Sequence, residues 1–512
     1  MNNSSNNKRI AKNTIVLYLR MLFTMAVSLY TTRVILAQLG VDDYGIYNVV
    51  GGLVAMFGFL SSSLSTAISR FLTFELGTGD KAKLSSVFSS SILILSALAI
   101  IIFIFVEAIG IWFLNYKMTI SPDRLYAANW VLQLSSLTFV VNLLNTSYNA
   151  IVIAHERMSA FAFFAITEAL LKLVICFMIS WTSFDKLISY ACLLAGIALV
   201  MRCLYYIYCR RQFEECKFHF VCDRSLVKNM FSFAGWNLFG SGSSLLRDQG
   251  VNILLNLFFG PMVNSARGVA VQVNSAINQL SYNFMMALNP QITKNYASNN
   301  LQYALELVFK GSKYTMYLLF LISLPLIYEA ELILKLWLGN VPDHTLLFVR
   351  LILVYSMFEA VSYSMVTLML ATGKIKKYQF IVGGCQLLNF PLAFIALKLG
   401  CMPEFTIIIS IFVATLCLVL RLLMLKRMVG FPVCKFVKDV LVKLVTVLFL
   451  SIPIPIFLIH YLEEGFARFF IISIVSTLIT IGVIYIAGIT CNERNLLKSR
   501  IVLFVNKFKN AN

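Results

Sequence analysis

Twelve ionisable side chains interrupt stretches of sequence that are otherwise apolar enough for lipid: Arg20, Arg33, Glu107, Glu168, Lys172, Arg202, Arg247, Asp248, Arg267, Arg350, Glu359 and Arg421. A charge at the centre of a membrane helix costs about 2.5–3.5 kcal/mol on the insertion scale, so each needs a physical reason. Arg202, Arg421 and Arg267 lie close enough to helix ends to snorkel to the interface. Arg20, Glu168, Lys172, Arg247, Asp248 and Glu359 lie deeper, and should face a water-filled cavity or one another. Of the twelve, eight are basic and four acidic. An interior biased positive suits an anionic substrate, a phosphate or pyrophosphate gripped by arginine forks.

Helical spacing sorts these residues onto faces. Asn237, Ser241, Ser244, Asp248, Asn252 and Asn256 recur at three- and four-residue steps and form one polar stripe, with Arg247 at its edge. Arg267, Asn274 and Asn278 share a face of the next helix, with Gln272 and Gln279 in a second row. Arg20, Thr24, Ser28 and Thr31 line up near the N-terminus, whereas Arg33 points to roughly the opposite side. Glu168 and Lys172 are four apart and can pair directly. Serine and amide stripes often serve as interhelical hydrogen-bond glue, and the cluster Ser61, Ser62, Ser63 and Ser65 is read that way. The stripe through Asp248 is longer than packing requires and is read as a cavity wall. Amides and hydroxyls beside cations suit sugar hydroxyls beside phosphate, which together describe a lipid-linked, phosphate-bearing saccharide.

The elements that must position these residues are membrane helices. The chain has 512 residues, of which 59% are hydrophobic and only 13% charged, and its mean hydropathy is +0.83. Soluble proteins carry roughly 25% charged residues. Apolar runs of the length that spans a bilayer predict fourteen helices, at about 14–37, 46–69, 85–114, 125–150, 159–180, 187–208, 230–258, 266–289, 314–334, 345–371, 378–397, 404–425, 444–461 and 469–490. With the N-terminus inside, the cytoplasmic segments hold 28 Lys and Arg and the outer segments 6, which predicts an N-in, C-in topology. The net charge of +19 is then mainly a topology signal, and no nucleic-acid partner is expected. The fold class is therefore an all-α polytopic membrane protein.

Two basic breaks divide the chain. Residues 1–208 form a first six-helix lobe, 209–229 a cytoplasmic linker, 230–425 a second six-helix lobe, 426–443 a basic linker, 444–490 an additional helix pair and 491–512 a cytoplasmic tail. At an offset of 220, Gly40 matches Gly260, Val49 matches Val269, Ser61 matches Ser281 and Ala67 matches Ala287. Two units of even helix number repeat in parallel about an axis along the membrane normal, a recurring design of secondary transporters.

Enzymatic readings find little support. The longest outer stretches, around 115–124 and 335–344, are short, and the histidines His155, His219, His344 and His460 are scattered. No nucleophile–base set, phosphate loop or ATPase motif is legible. Only Cys401 falls in an outer loop, which argues against a disulfide framework. Cys216, His219 and Cys222 lack the paired spacing of a zinc site and read as an ordinary loop, so no metal and no cofactor are expected. The polar start through Lys8, Arg9 and Lys12 leads into a retained first helix rather than a cleaved signal. Without an ATPase domain, energy must come from an ion gradient, the membrane potential or consumption of product. Glu168, Lys172, Asp248 and Glu359 are the candidates for coupling to H+ or Na+.

The segment Thr31-Thr32-Arg33, then Leu39-Gly40-Val41-Asp42-Asp43-Tyr44-Gly45-Ile46-Tyr47, then Gly51-Gly52, resembles the first helix junction of polysaccharide-biosynthesis flippases. These belong to the multidrug/oligosaccharidyl-lipid/polysaccharide exporter superfamily. Ser69-Arg70 and Phe233-Ala234-Gly235-Trp236 are further points of similarity. The resemblance implies two six-helix lobes around a V-shaped central cavity and an alternating-access cycle. It implies transport of undecaprenyl-pyrophosphate-linked oligosaccharide, an O-antigen or capsule repeat unit, across the bacterial inner membrane. Membrane lipids and a polysaccharide polymerase would be its partners. The substrate contacts would come from Arg20, Arg33, Arg247, Arg267, Asn237, Ser241, Asn252, Asn274 and Asn278. A peptidoglycan-precursor flippase and a multidrug or cation exporter of the same superfamily are the alternatives. The second would call for an acidic cavity.

Overall fold

The computed structural model describes residues 3–55, 57–116, 120–182, 184–217, 223–338, 341–490 and 493–495. His219 and Cys222 lie outside the described residues. Among the described residues the secondary structure is helical throughout. The long helices are α1 (Asn3–Ala55), α2 (Gly58–Thr78), α3 (Lys81–Tyr116), α4 (Pro122–Ala154), α5 (Met158–Trp181), α6 (Lys186–Gln212) and α7 (Arg224–Phe259). They continue with α8 (Pro261–Ala297), α9 (Leu301–Tyr328), α10 (Thr345–Ala371), α11 (Lys376–Lys398), α12 (Phe405–Val429), α13 (Val433–Tyr461) and α14 (Phe466–Gly488).

Among the described residues, eleven helical stretches are long and apolar enough to cross a membrane. The expected spans at 230–258 and 266–289 are helical but fall outside that set, and so does 46–69, which the structure divides between the end of α1 at Ala55 and the start of α2 at Gly58. Their serines, amides and arginines dilute the apolar surface, and two of them carry the stripes through Asp248 and Arg267. Large apolar side chains such as Phe103, Trp181, Leu257 and Phe449 stand exposed along the helices, as a lipid solvent requires.

The chain divides into two compact units. Unit 1 comprises Met1–Gly242, Met286–Ala304 and Leu370–Phe380, and unit 2 comprises Ser243–Met285, Leu305–Met369 and Ile381–Asn512. The core of unit 1 is built on Phe88, Leu132, Leu143 and Ile151, and that of unit 2 on Phe348, Leu319, Leu353 and Ala393. The same devices recur in each. Gly40 breaks α1 at φ 78° and Gly260 separates α7 from α8 at φ 81°, left-handed conformations that favour glycine. In unit 1 the Ser91 and Ser147 hydroxyls of α3 and α4 are hydrogen-bonded at 2.8 Å. In unit 2 the hydroxyls of Ser312 and Ser364, on α9 and α10, meet at 2.9 Å. These pairs satisfy buried hydroxyls and fix two helices in register.

Helix starts follow capping rules. Asp80 accepts from the Lys83 N–H at 3.0 Å to open α3, which holds its carboxyl below the ordinary value. Asp185 accepts from the N–H groups of Leu187 and Ile188 to open α6. Asp185 also pairs with Arg124 at the start of α4, and Arg124 reaches Asp43 beyond the Gly40 break, so one guanidinium ties three helix ends together. At the far end of the chain Lys313 on α9 pairs with Glu493 at 2.7 Å. Burial alone would raise the Glu493 carboxyl; hydrogen bonds from Lys313 and the Thr490 N–H reverse this and hold it at about 2. Because the folded value is depressed below the ordinary 4.5, the contact contributes fully above that value and is lost as pH falls towards about 2.

One close approach is testable. A Cβ on Gly77 of α2 would lie 2.6 Å from the Lys294 carbonyl oxygen and 2.7 Å from the Ala297 Cβ of α8. The obstruction is backbone, which cannot rotate away. Gly77→Ala is expected to destabilise unit 1 by about 1–3 kcal/mol, seen as a lower unfolding temperature of the purified protein.

Candidate functional site

Unit 2 gathers most of the predicted site around Arg247. The sequence lays Arg247 and Asp248 side by side on α7, and the fork of Arg247 closes on its neighbour. Nε donates to Asp248 Oδ1 at 2.9 Å and Nη2 to Oδ2 at 3.2 Å. Nη1 lies 3.8 Å from Glu359 Oε1 on α10, and the guanidinium sits 5.5 Å from the centre of the Tyr355 ring. Arg267, one helix on, donates to the Asp248 carbonyl at 3.1 Å and to the side-chain oxygen of Asn252. Both arginines are buried, whereas the Asp248 side chain is 57% exposed. Asp248 is therefore the ligand of Arg247 that water or a substrate can reach.

Two arginines and two carboxylates balance formally, so the expected positive bias of the interior is locally neutralised here. The arrangement still leaves donors unsatisfied. Arg267 Nε and Tyr355 Oη are buried without a hydrogen-bond partner among the described residues. Unpaired buried donors are rare, because each forfeits its hydration. Both lie beside the Arg247 fork and are free to donate to an acceptor arriving there.

The amides form the adjoining network. Asn278 Nδ2 donates to Asn274 Oδ1 at 2.9 Å and to Ser356 Oγ at 3.2 Å, and the Tyr363 hydroxyl donates to Asn278 Oδ1 at 3.3 Å. Helix α10 thus supplies Tyr355, Ser356, Glu359 and Tyr363 to both clusters. Of these four, the sequence singled out Glu359 alone. The others had no signal, because a tyrosine in an apolar run reads as packing.

Unit 1 holds the remaining candidates, in separate places. Asn237 Nδ2 donates to the Ser63 carbonyl at 3.4 Å, Gln379 donates to Asn237 Oδ1 at 3.3 Å, and Ser63 Oγ donates to the Ala234 carbonyl at 2.9 Å. Ser63 is thus interhelical glue, as read from the sequence. Ser241 is half-buried on the same helix as Asn237. Arg20 lies over the Phe161 ring at 5.0 Å, and Arg33 is exposed. Lys172 and Glu168 pair at 2.7 Å, both half-exposed.

Snorkelling does not describe the three arginines assigned to it. Arg267 and Arg421 are buried, and Arg202 lies 4.5 Å above the Tyr148 ring while donating to the Leu144 carbonyl at 2.8 Å. Neighbouring helices offer Arg202 and Arg267 acceptors that the sequence could not show. Three acids near span borders also went unnoticed. Glu329 is fully buried against Arg468 at 3.0 Å, Glu404 meets His344 at 2.6 Å, and Glu331 pairs with Lys335 at 2.8 Å.

The motif residues converge. The Arg70 guanidinium is 4.7, 4.6 and 5.7 Å from the Phe71, Phe74 and Phe233 rings and donates to the Ala371 carbonyl at 2.8 Å. Asp43 is buried against Arg124. Among the described residues no group of three or more His, Cys, Asp and Glu side chains could hold a metal ion.

The family model described as "Polysaccharide biosynthesis protein" matches residues 10–296. No curated protein matches the chain by sequence. Among solved structures, a MATE transporter in complex with MaD3S is similar in fold, with TM-score 0.69 and 13% identity over 83% of this chain and 97% of that one. An outward-facing multidrug resistance MATE family transporter of the MOP superfamily gives TM-score 0.67 and 14% identity over 83% and 97%. The MATE transporter ClbM in complex with Rb+ gives TM-score 0.67 and 14% identity over 80% and 94%. The fold is the two-lobed MATE-like fold, and the structures that share it are transporters rather than enzymes.

Proposed function

The chain belongs to the polysaccharide biosynthesis protein family, and from that premise we propose that it is a flippase for undecaprenyl-pyrophosphate-linked oligosaccharide, an O-antigen or capsule repeat unit. It carries its cargo from the cytoplasmic to the periplasmic leaflet of a bacterial inner membrane by alternating access, and delivers it to a polymerase.

The observation that supports this reading best is the Arg247 site. A guanidinium presents donors in a planar fork that fits a carboxylate and a phosphate equally well. Asp248 occupies that fork from the exposed side, at 2.9 and 3.2 Å. A pyrophosphate arriving from the cavity competes with Asp248 for the same two N–H groups. Protonation of Asp248, or a cation bound between Asp248 and Glu359, weakens their hold on Arg247 and frees the fork. Coupling follows from that exchange: ion binding and substrate binding use the same arginine. Arg267 Nε and Tyr355 Oη supply donors to the remaining phosphate oxygens. The amide network of Asn274 and Asn278 suits the polar groups beyond the phosphates.

A multidrug or cation exporter is the second reading, favoured by the MATE fold. A cationic drug needs a free carboxylate, and Asp248 is already held by the Arg247 fork at 2.9 and 3.2 Å, which places this reading second. Proteoliposomes decide between them. A fluorescent undecaprenyl-pyrophosphate-linked saccharide is expected to equilibrate between leaflets, seen as loss of its protection from an external quencher, while ethidium is not pumped. Ethidium pumping without lipid movement would reverse the ranking. If the neutralising pair Asp248→Asn and Glu359→Gln leaves transport and its gradient dependence intact, the coupling scheme is wrong.

A further inference from the structure

Unit 1 contains a second polar site, apart from the residues around Asn237. A cavity of about 220 Å3 is lined on α1 by Ser28, Thr31 and Thr32, and beyond the Gly40 break by Tyr44 and Tyr47. Lys172 of α5 and Tyr190 of α6 complete its polar wall, and Ile35 and Leu194 its apolar one. Tyr44 and Tyr47 are the two tyrosines of the motif at the first helix junction. The Tyr47 and Tyr190 rings pack edge to face with centres 4.8 Å apart.

The donors and acceptors are mixed in a way that selects a ligand class. The hydroxyls of Thr31 and Thr32 donate to the Ser28 carbonyl at 3.0 and 2.9 Å, so each turns lone pairs to the cavity as an acceptor. Lys172 carries three N–H donors, one of them engaged by Glu168 at 2.7 Å. Phenol hydroxyls both give and accept. A simple anion meets the threonine lone pairs, and a simple cation meets the lysine. A neutral ring bearing several hydroxyls satisfies both walls, since each hydroxyl donates once and accepts twice. Aromatic rings supply the apolar surface that the C–H face of such a ring needs. Drug-sized ligands need about 300–1,000 Å3, so a cavity of about 220 Å3 holds one ring and no more.

We propose that this cavity is a subsite for one pyranose ring of the carried glycan, with Lys172 and the threonines reading its hydroxyls and the motif tyrosines holding its face. The proposal rests on the flippase reading and deepens it by naming residues that read one sugar of the cargo. It also gives the Glu168–Lys172 pair a part in recognition, with Glu168 aiming the ammonium.

The test uses the full chain in lipid nanodiscs and saturation-transfer NMR with methyl glycosides of a hexose, an N-acetylhexosamine and a 6-deoxyhexose. At least one glycoside is expected to receive saturation on its ring protons. Thr31→Phe, which fills the cavity, should abolish it. Tyr47→Phe combined with Tyr190→Phe keeps the rings, removes two hydroxyls, and should weaken binding about tenfold. No saturation of any of the three, or equal saturation in both variants, overturns the subsite. Binding of bare undecaprenyl pyrophosphate to the same nanodiscs separates the two ideas. If the lipid binds and the glycosides do not, the subsite alone is wrong. If the glycosides bind and the lipid does not, the cavity binds sugar, but the flippase reading falls and with it the cavity's part in carrying a glycan.

Discussion

Arg247→Gln is expected to reduce flux of lipid-linked oligosaccharide about 100-fold. Removing one partner from a buried charge pair costs about 2–5 kcal/mol at a binding site, and about 1.4 kcal/mol is a factor of ten. The substitution also leaves Glu359, 3.8 Å away and only 21% exposed at its side chain, without its cation. Lost flux could therefore follow from lost folding, and a second variant separates the causes. Arg247→Gln with Asp248→Asn and Glu359→Gln removes every charge that Arg247 faces on α7 and α10, and should return the protein to its normal abundance. If Arg247 grips the pyrophosphate, the triple variant inserts normally and fails to bind undecaprenyl pyrophosphate, which the pair Asp248→Asn and Glu359→Gln still binds. If Arg247 only neutralises its neighbours, the triple variant binds the lipid as the pair does. Arg247→Lys should fall between, because an ammonium keeps the charge and loses the fork.

Glu156→Ala is expected to destabilise unit 1 by about 3 kcal/mol. Glu156 lies in the turn between α4 and α5, in a left-handed conformation at φ 58° that a non-glycine residue seldom adopts. Its side chain is 1% exposed and gathers Arg9 from α1 at 2.9 Å and Lys294 from α8 at 2.9 Å, with Gln291 donating as well. Asn13 donates to its backbone carbonyl at 3.3 Å. One carboxylate thus ties the ends of three helices, and without it Lys294 is left half-buried with an unpaired charge. The unfolding temperature of the purified protein should drop by several degrees. Replacing Glu156 and Lys294 together by methionine should recover much of the loss, since a buried pair exchanged for packed apolar groups is often neutral. Failure of that recovery would place the effect in the turn's backbone rather than in the ion pairs.

Much of the helix layout was legible because a membrane solvent writes it in hydropathy. The eleven most apolar stretches correspond to spans expected from the sequence. The polar stripe on α7 was legible by its periodicity, yet its members do not act together: Asn237 bonds with Ser63 and Gln379, whereas Asp248 and Asn252 bond with arginines. Periodicity reports a face and says nothing of which neighbour fills it. Arg247 and Glu359 were each found as isolated charges 112 positions apart, and only the fold brings them within 3.8 Å. Tyr355 and Tyr363 stayed hidden for a different reason, and Arg70 was legible only as a motif residue. Their chemistry comes from what surrounds them, the Arg247 guanidinium, the Asn278 amide and the Phe71, Phe74 and Phe233 rings, and no local pattern in the sequence carries that information.

The most direct test of the central claim is the leaflet location of lipid-linked oligosaccharide in cells depleted of this protein. A flippase of this kind, once depleted, leaves the oligosaccharide to accumulate on the cytoplasmic leaflet while surface polysaccharide is lost, and mass analysis of the accumulated lipid would then identify the cargo. An unchanged distribution between leaflets, with surface polysaccharide intact, would contradict it.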